Sequence, residues 1–530
     1  MNKSEVKSFF ENYIYELLLL MVFLAALSFR FYTDTYHLLM VPDYDGYQYV
    51  KIAKYMAKGM MIDEAVNWTP LLPTLIALFS FLPLPLDQIG SLINIFFGAL
   101  TVFPIYLFVK NIINKEAAFF SVLIYAFHPQ IAFVNVQVMS ETTYIFMIFM
   151  FAWAISEVLK GKLTVKYGVI SGLFGGLIYL GRPEGVLIFI ALTIFCFLVS
   201  KDTLQKRVNW FFTNVITFTL TILPYSLFLR SKLSKFVFSG KSKEILPHIR
   251  NMMGVPEKGQ SYLETFSYDF YKTYSFIKNN LVNAWLIITE EAYLYALIFI
   301  LLLILFVFAI KKSQLALAKG VIFFISMLLP VSAALIFKVD QRYLSPTSSV
   351  LAVMCGIGIY GGLSFLDIKI KKDIYKIILL VFMIASFSFW GFYKIYHRFE
   401  KEGELNVIYE QERLYKRTGL WLKGHIPSDS TIISVSTNYL IAYYAGDLPF
   451  KNVSKSLTES EVIDLVCSNQ NQYLVINDYA ISRYYKNLSY LLNPYSQSFN
   501  SSPLYDKIMP VYYDDIAMVA IYTCKSQNVK

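Results

Sequence analysis

Long apolar runs broken by short polar stretches recur from about residue 13 to residue 393, and only then does the pattern change. A bilayer core about 30 Å thick needs roughly 20 helical residues to cross it. The runs predict about eleven spans, near 13–32, 88–110, 116–135, 138–158, 167–181, 183–200, 209–230, 281–310, 316–337, 343–365 and 374–393. The stretch 167–200 is divided at "LGRPEG", because Arg, Pro and Glu together are costly in mid-bilayer but tolerable at an interface. The apolar core of the first run is too long for a cleavable signal peptide, and no small-residue cleavage site follows it.

Beyond residue 393 the chain turns to Ser, Asn, Asp and Tyr, with short β-prone runs such as "STIISVST", "NQYLVIND" and "IAMVAIYT" between polar turns. The expected organisation is a polytopic α-helical membrane domain over 1–393, with a first outer loop at 33–87, and a soluble α/β domain over 394–530. Composition agrees with it. The 530 residues are 56% hydrophobic and 16% charged, against about 25% charged in soluble domains, and mean hydropathy is +0.50.

The net charge of +10 is informative through its placement. With the N-terminus inside, five short inner turns carry Lys110 and Lys115; Lys160, Lys162 and Lys166; Lys201, Lys206 and Arg207; Lys311, Lys312 and Lys319; and Lys369, Lys371, Lys372 and Lys376. This is the positive-inside pattern of a plasma-membrane protein. The long outer loop 231–280 is also basic, but long loops cross with less regard to charge. An odd number of spans puts the C-terminal domain outside, where Cys467 and Cys524 are permitted to pair; two unpaired buried thiols are the alternative. No nucleic-acid partner is expected.

Two carboxylates stand out in "VPDYDGYQYVKIAKYMAKGM", residues 41–60, just after the first span. From Tyr49 the apolar residues Ile52, Ala53, Met56 and Met60 recur at helical spacing while Lys51, Lys54 and Lys58 point elsewhere, predicting an amphipathic helix on the membrane surface. Asp45 then has two readings. It is a helix N-cap completed by Gln48, or a general base held at the outer face. The following "NWTPLLPTLIALF" is too short and proline-punctuated for a span, and is expected to roof the same site.

Five stretches in order, "DGYQYVKIAKYMAKG", "NWTPLLPTLIALF", "VMSETTY", "LGRPEG" and "QRYLSPTSSVLAVMCGIGIYGG", resemble the multi-pass glycosyltransferases of the C-type membrane fold, the group of protein O-mannosyltransferases and aminoarabinose transferases. The resemblance covers roughly residues 10–393. It implies a donor sugar on a polyprenyl phosphate, an acceptor that is protein, lipid or glycan, single displacement with inversion, and Asp45 as the base. Gly46 stands where the family often has a second acidic residue, and Asp43 is the candidate to supply it. "DYD" also has the Asp-x-Asp spacing of metal-using relatives, but two oxygen donors do not specify an ion, so neither metal nor cofactor is expected.

The other candidates lie at outer span ends. Glu141 is either a partner for the helix dipole or a sugar-positioning carboxylate. Arg182 and Glu184 are either a mutual ion pair or, for Arg182, a bidentate phosphate ligand. Arg342 is either a snorkelling anchor or, as the resemblance implies, the cation that neutralises the leaving phosphate, with Lys338 assisting and Tyr343 beside it. His128 is read as a capped helix end. A transporter or flippase of lipid-linked substrates is the rival class, but it would show inverted halves and midplane charges, whereas the charges here gather at one face. A scaffold would need neither Asp45 nor the arginines.

Overall fold

The computed structural model describes residues 3–37, 44–237, 239–240, 270–288, 293–311, 317–329, 341–365, 373–397, 406–434, 439–453, 457–477, 486–514 and 519–525. The chain forms two compact units, Met1–Thr35 with Asp45–His397, and Tyr36–Tyr44 with Arg398–Lys530.

Among its described residues the regular elements of the first unit are helices. Its helices are α1 (Lys3–His37), α2 (Tyr44–Met56), α3 (Leu71–Leu78), α4 (Leu86–Leu100), α5 (Val102–Ile112), α6 (Lys115–Ala126), α7 (Pro129–Asn135) and α8 (Ser140–Leu159). There follow α9 (Val165–Gly181), α10 (Gly185–Val199), α11 (Leu204–Leu233), α12 (Phe270–Ile288), α13 (Tyr293–Lys311), α14 (Leu317–Leu328), α15 (Gln341–Phe365) and α16 (Asp373–Tyr396). Among the described residues, five stretches are long and apolar enough to cross a membrane: Ile14–Thr35, Leu86–Ile112, Ser140–Leu159, Leu204–Leu233 and Arg342–Ser364. The α6–α7 pair would make a sixth. On α11 the side chains of Phe212, Ile216, Leu220, Leu223 and Leu227 stay exposed at helical spacing, an apolar stripe suited to lipid.

Several expected spans take a different form. The run 116–135 is two helices bent by 64°, broken at His128–Pro129, since proline cannot continue the hydrogen-bond ladder of α6. His128 is therefore the N-cap residue of α7. Of the run 281–310, the described residues lie in α12 up to Ile288 and in α13 from Tyr293. The runs 167–181 and 183–200 are α9 and α10, of 17 and 15 residues, short of a perpendicular crossing.

Small residues set the closest packing. A Cβ on Gly172 of α9 would sit 2.3 Å from the Asn214 carbonyl oxygen of α11, and one on Gly176 would sit 2.5 Å from Thr221 Cβ. Spaced four apart, these glycines bring two backbones together as small residues do in membrane bundles.

The second unit holds α17 (Asn406–His425), β1 (Thr431–Ser434), α18 (Tyr439–Tyr444), β2 (Phe450–Asn452), α19 (Glu459–Cys467), β3 (Gln472–Asn477), α20 (Gln497–Asn500), β4 (Ile508–Asp514) and β5 (Val519–Cys524). The sheet order is β2-β1-β3-β5-β4; β1 runs parallel to β2 and β3, whereas β5 is antiparallel to β3 and β4. The three β-prone runs become β1, β3 and β5. Strand β4 carries Pro510 at its register shift and lies at the sheet edge, where proline's missing donor is tolerated. Helix α19 starts on a capping box between Thr458 and Glu461. Cys467 and Cys524 are joined as a disulfide with Cα atoms 5.1 Å apart, which settles the choice the sequence left open.

Candidate active site

Asp45 lies in the first turn of α2, one residue inside the helix, so it is not the cap residue. Its carboxylate instead meets Arg342, in the first turn of α15, with Nη1 2.9 Å from Oδ2. Helix α2, expected to lie on the membrane surface, is docked on protein: Tyr49, Ile52 and Ala53 of the expected face are buried, and so is Val50. Met60, expected on that face, lies beyond the helix and is 48% exposed. The Tyr49 hydroxyl donates to Ser140 Oγ at 3.1 Å, and burial followed by the nearby Glu141 charge pushes this phenol well above its ordinary range, so it stays a neutral donor. Lys51 ties α2 to Glu64 at 2.6 Å.

Arg182 ends α9 at a sharp change of direction before Pro183. Its Nη1 is 2.6 Å from Glu141 Oε1, and its Nε donates to Glu184. Burial opposes the charge on Arg182, but Glu184 and Glu141 outweigh it and hold the guanidinium more firmly protonated than in water. The roofing segment reaches the same place, where Thr69 Oγ1 donates to the Gly181 carbonyl at 2.6 Å and helix α3 buries Leu71, Leu72 and Ile76.

Tyr343 connects the two halves. Its ring centre is 4.9 Å from the Arg342 guanidinium carbon and 5.0 Å from that of Arg182, within cation–π range of both. Its hydroxyl also accepts from Arg342 Nη2 at 3.3 Å. Six predicted residues, Asp45, Glu141, Arg182, Glu184, Arg342 and Tyr343, thus form one linked cluster although α2 and α15 are distant in sequence from the consecutive helices α8, α9 and α10. Asp43 and Lys338 lie outside the described residues. Among the described residues, no three His, Cys, Asp or Glu side chains gather as a metal site.

Exposure does not separate the two arginines, whose side chains are 21% exposed at Arg342 and 16% at Arg182; the carboxylates differ more, with Asp45 21% and Glu141 4% exposed. Arg182 faces two carboxylates, Glu141 and Glu184.

The helices define a multi-pass helical membrane protein with the C-type glycosyltransferase fold. Residues 67–227 match the family model of dolichyl-phosphate-mannose-protein mannosyltransferases. That segment contains Glu141, Arg182 and Glu184; Asp45 and Arg342 lie on either side of it. The Archaeoglobus fulgidus oligosaccharyltransferase tethered with an acceptor peptide has a similar structure, with TM-score 0.55 and 12% identity, over 89% of this chain and 70% of that one. ArnT from Cupriavidus metallidurans bound to undecaprenyl phosphate is similar with TM-score 0.53 and 11% identity, over 96% of this chain and 97% of that one. At such identities the likeness is one of fold. No curated protein sequence matches the chain significantly.

Proposed function

We propose that the chain is an integral membrane glycosyltransferase that moves a sugar from a polyprenyl-phosphate donor to an acceptor at the outer face of the plasma membrane. The observation that carries this reading is the ion pair between Asp45 and Arg342, in an accessible cluster at helix ends. A base and a phosphate-binding cation are the two groups such a displacement needs. The family match over 67–227 supports the reaction class, and the bound undecaprenyl phosphate in ArnT supports the donor class.

The donor enters from lipid and its phosphate engages Arg342, whose planar fork suits phosphate oxygens. Arg342 then shares its charge with the phosphate, which leaves the Asp45 carboxylate for the acceptor's hydroxyl or amine proton. As that proton passes to Asp45, the acceptor atom attacks the anomeric carbon from the face opposite the phosphate. The glycosidic C–O bond breaks, its electron pair leaves on the polyprenyl phosphate, and Arg342 stabilises the charge. Configuration inverts. Glu141 and Glu184 hold Arg182 and Tyr343 against the sugar side of the site. The C-terminal unit is extracytoplasmic in this reading.

This mechanism requires the Asp45 loop and the C-terminal unit to share one face, which the Lys and Arg distribution and the disulfide both support. Single cysteines at Lys162, Lys372 and Lys451 test it in intact cells with a membrane-impermeant thiol reagent. Background is low, because the free cysteines Cys196 and Cys355 are buried. Lys451, close to Asp447, is expected to label, and Lys162 and Lys372 only after permeabilisation. Labelling of Lys162 rather than Lys451 in intact cells would invert the topology and remove the mechanism.

A further inference from the structure

The turn between α7 and α8, residues 136–139, is largely buried non-helical backbone, so its carbonyls must find donors within the protein. They find side chains. Asn94 Nδ2 donates to the Gln137 carbonyl at 2.6 Å and the Met139 carbonyl at 2.8 Å. The Ser91 hydroxyl lies 2.8 Å from the Val136 carbonyl and 3.0 Å from the Asp34 carboxylate. Arg30, fully buried in α1, donates from Nη1 to the Ala126 carbonyl where α6 ends, at 3.0 Å, and from Nε to Asn135 Oδ1 at 2.9 Å. Asn135 Nδ2 passes the chain on to Thr142 Oγ1 at 3.1 Å. A Cβ on Gly98 would stand 2.6 Å from Asn135 Oδ1 and 2.9 Å from Arg30 Nε, so only glycine leaves room for the contact.

The same turn leads straight into the cluster. Met139 Sδ lies 3.8 Å from Arg342 Nη1, Ser140 receives the Tyr49 hydrogen bond, and Glu141 binds Arg182. We propose that this buried polar cradle is the positioning layer of the site, with Asn94, Asn135 and Thr142 setting the turn and, through Glu141, the reach of Arg182. None of the three is a catalytic residue. The kinetic half of its test rests on the glycosyltransferase reading, and the structural half does not.

Three variants of the full chain in lipid nanodiscs, with Glu141→Gln as a second background, separate these halves. Asn94→Leu keeps the volume and removes both donated bonds; Thr142→Val removes the end of the relay, and Thr142→Ser keeps it. Backbone hydrogen exchange over 136–141 is expected to quicken at least about ten-fold in Asn94→Leu, with Ile148–Leu159 unchanged. Unchanged exchange, or faster exchange along all of α8, overturns the proposal, and this readout needs no sugar donor. In transfer assays Thr142→Val is expected to raise the donor KM about ten-fold with kcat nearly intact. Thr142→Ser should restore it, and the rise should vanish in a Glu141→Gln background. An equal rise in both backgrounds overturns the route through Glu141.

Discussion

Replacing Asp45 by asparagine is expected to lower turnover by about 10²–10⁴-fold, the usual worth of a positioned general base, while expression and detergent stability stay near wild type. Asparagine is nearly isosteric, and losing a charge in the first turn of a helix costs only about 0.3–1 kcal/mol, so neither packing nor helix initiation explains such a loss. The ion pair adds a second reading of the same variant. Asp45 holds Arg342 at 2.9 Å, and asparagine would release it to the donor. The donor KM should therefore hold or fall as kcat collapses. If Asp45 served only to orient Arg342, the opposite split would appear, with the donor KM rising and kcat preserved. Asp43→Asn is the matched control, and it should lose less.

The next largest effect is expected at Arg342. Removing a charge-assisted contact to a phosphate oxygen costs about 1.5–3 kcal/mol, roughly 10- to 100-fold in donor affinity. Arg342→Ala should show this, and Arg342→Lys a smaller part of it, since lysine keeps the charge and loses the fork. Donor kinetics unchanged in the alanine variant would return Arg342 to a membrane-interface anchor. The Tyr343 ring, between the two guanidiniums, makes a further distinction. An ammonium at position 342 can still lie over that ring but cannot bridge ring and phosphate with planar hydrogen bonds.

The cluster was legible in the sequence because each charged member breaks a local rule: a charge at the end of an apolar run has to be placed by something other than hydrophobic burial. Asp45, Glu141, Arg182, Glu184 and Arg342 all met that description. Which carboxylate faces which arginine was not legible. Arg182–Glu184 is two residues apart and was foreseen, but Arg182–Glu141 and Asp45–Arg342 depend on how helices pack. The cradle was missed, although one signal was available. Arg30 interrupts the apolar run before "FYTDTYH", and an arginine inside a span demands a buried partner. Asn94 and Asn135 gave no comparable signal, since an isolated asparagine in an apolar run does not reveal which backbone it serves. The break at Pro129 was readable from proline's missing N–H, but its 64° bend was not. In the C-terminal unit the alternating strands were legible, whereas the three-residue β2 is too short to carry a period.

Transfer of label from a radiolabelled polyprenyl-phosphate sugar by the purified, reconstituted protein, with isolated membranes as the source of acceptor, tests the central claim most directly. The wild-type chain should move label out of the lipid-linked pool into acceptor, without any nucleotide sugar, and Asp45→Asn should leave it in the donor. Label that stays in the polyprenyl-phosphate pool with the wild-type protein, or moves equally well with Asp45→Asn, would contradict the account.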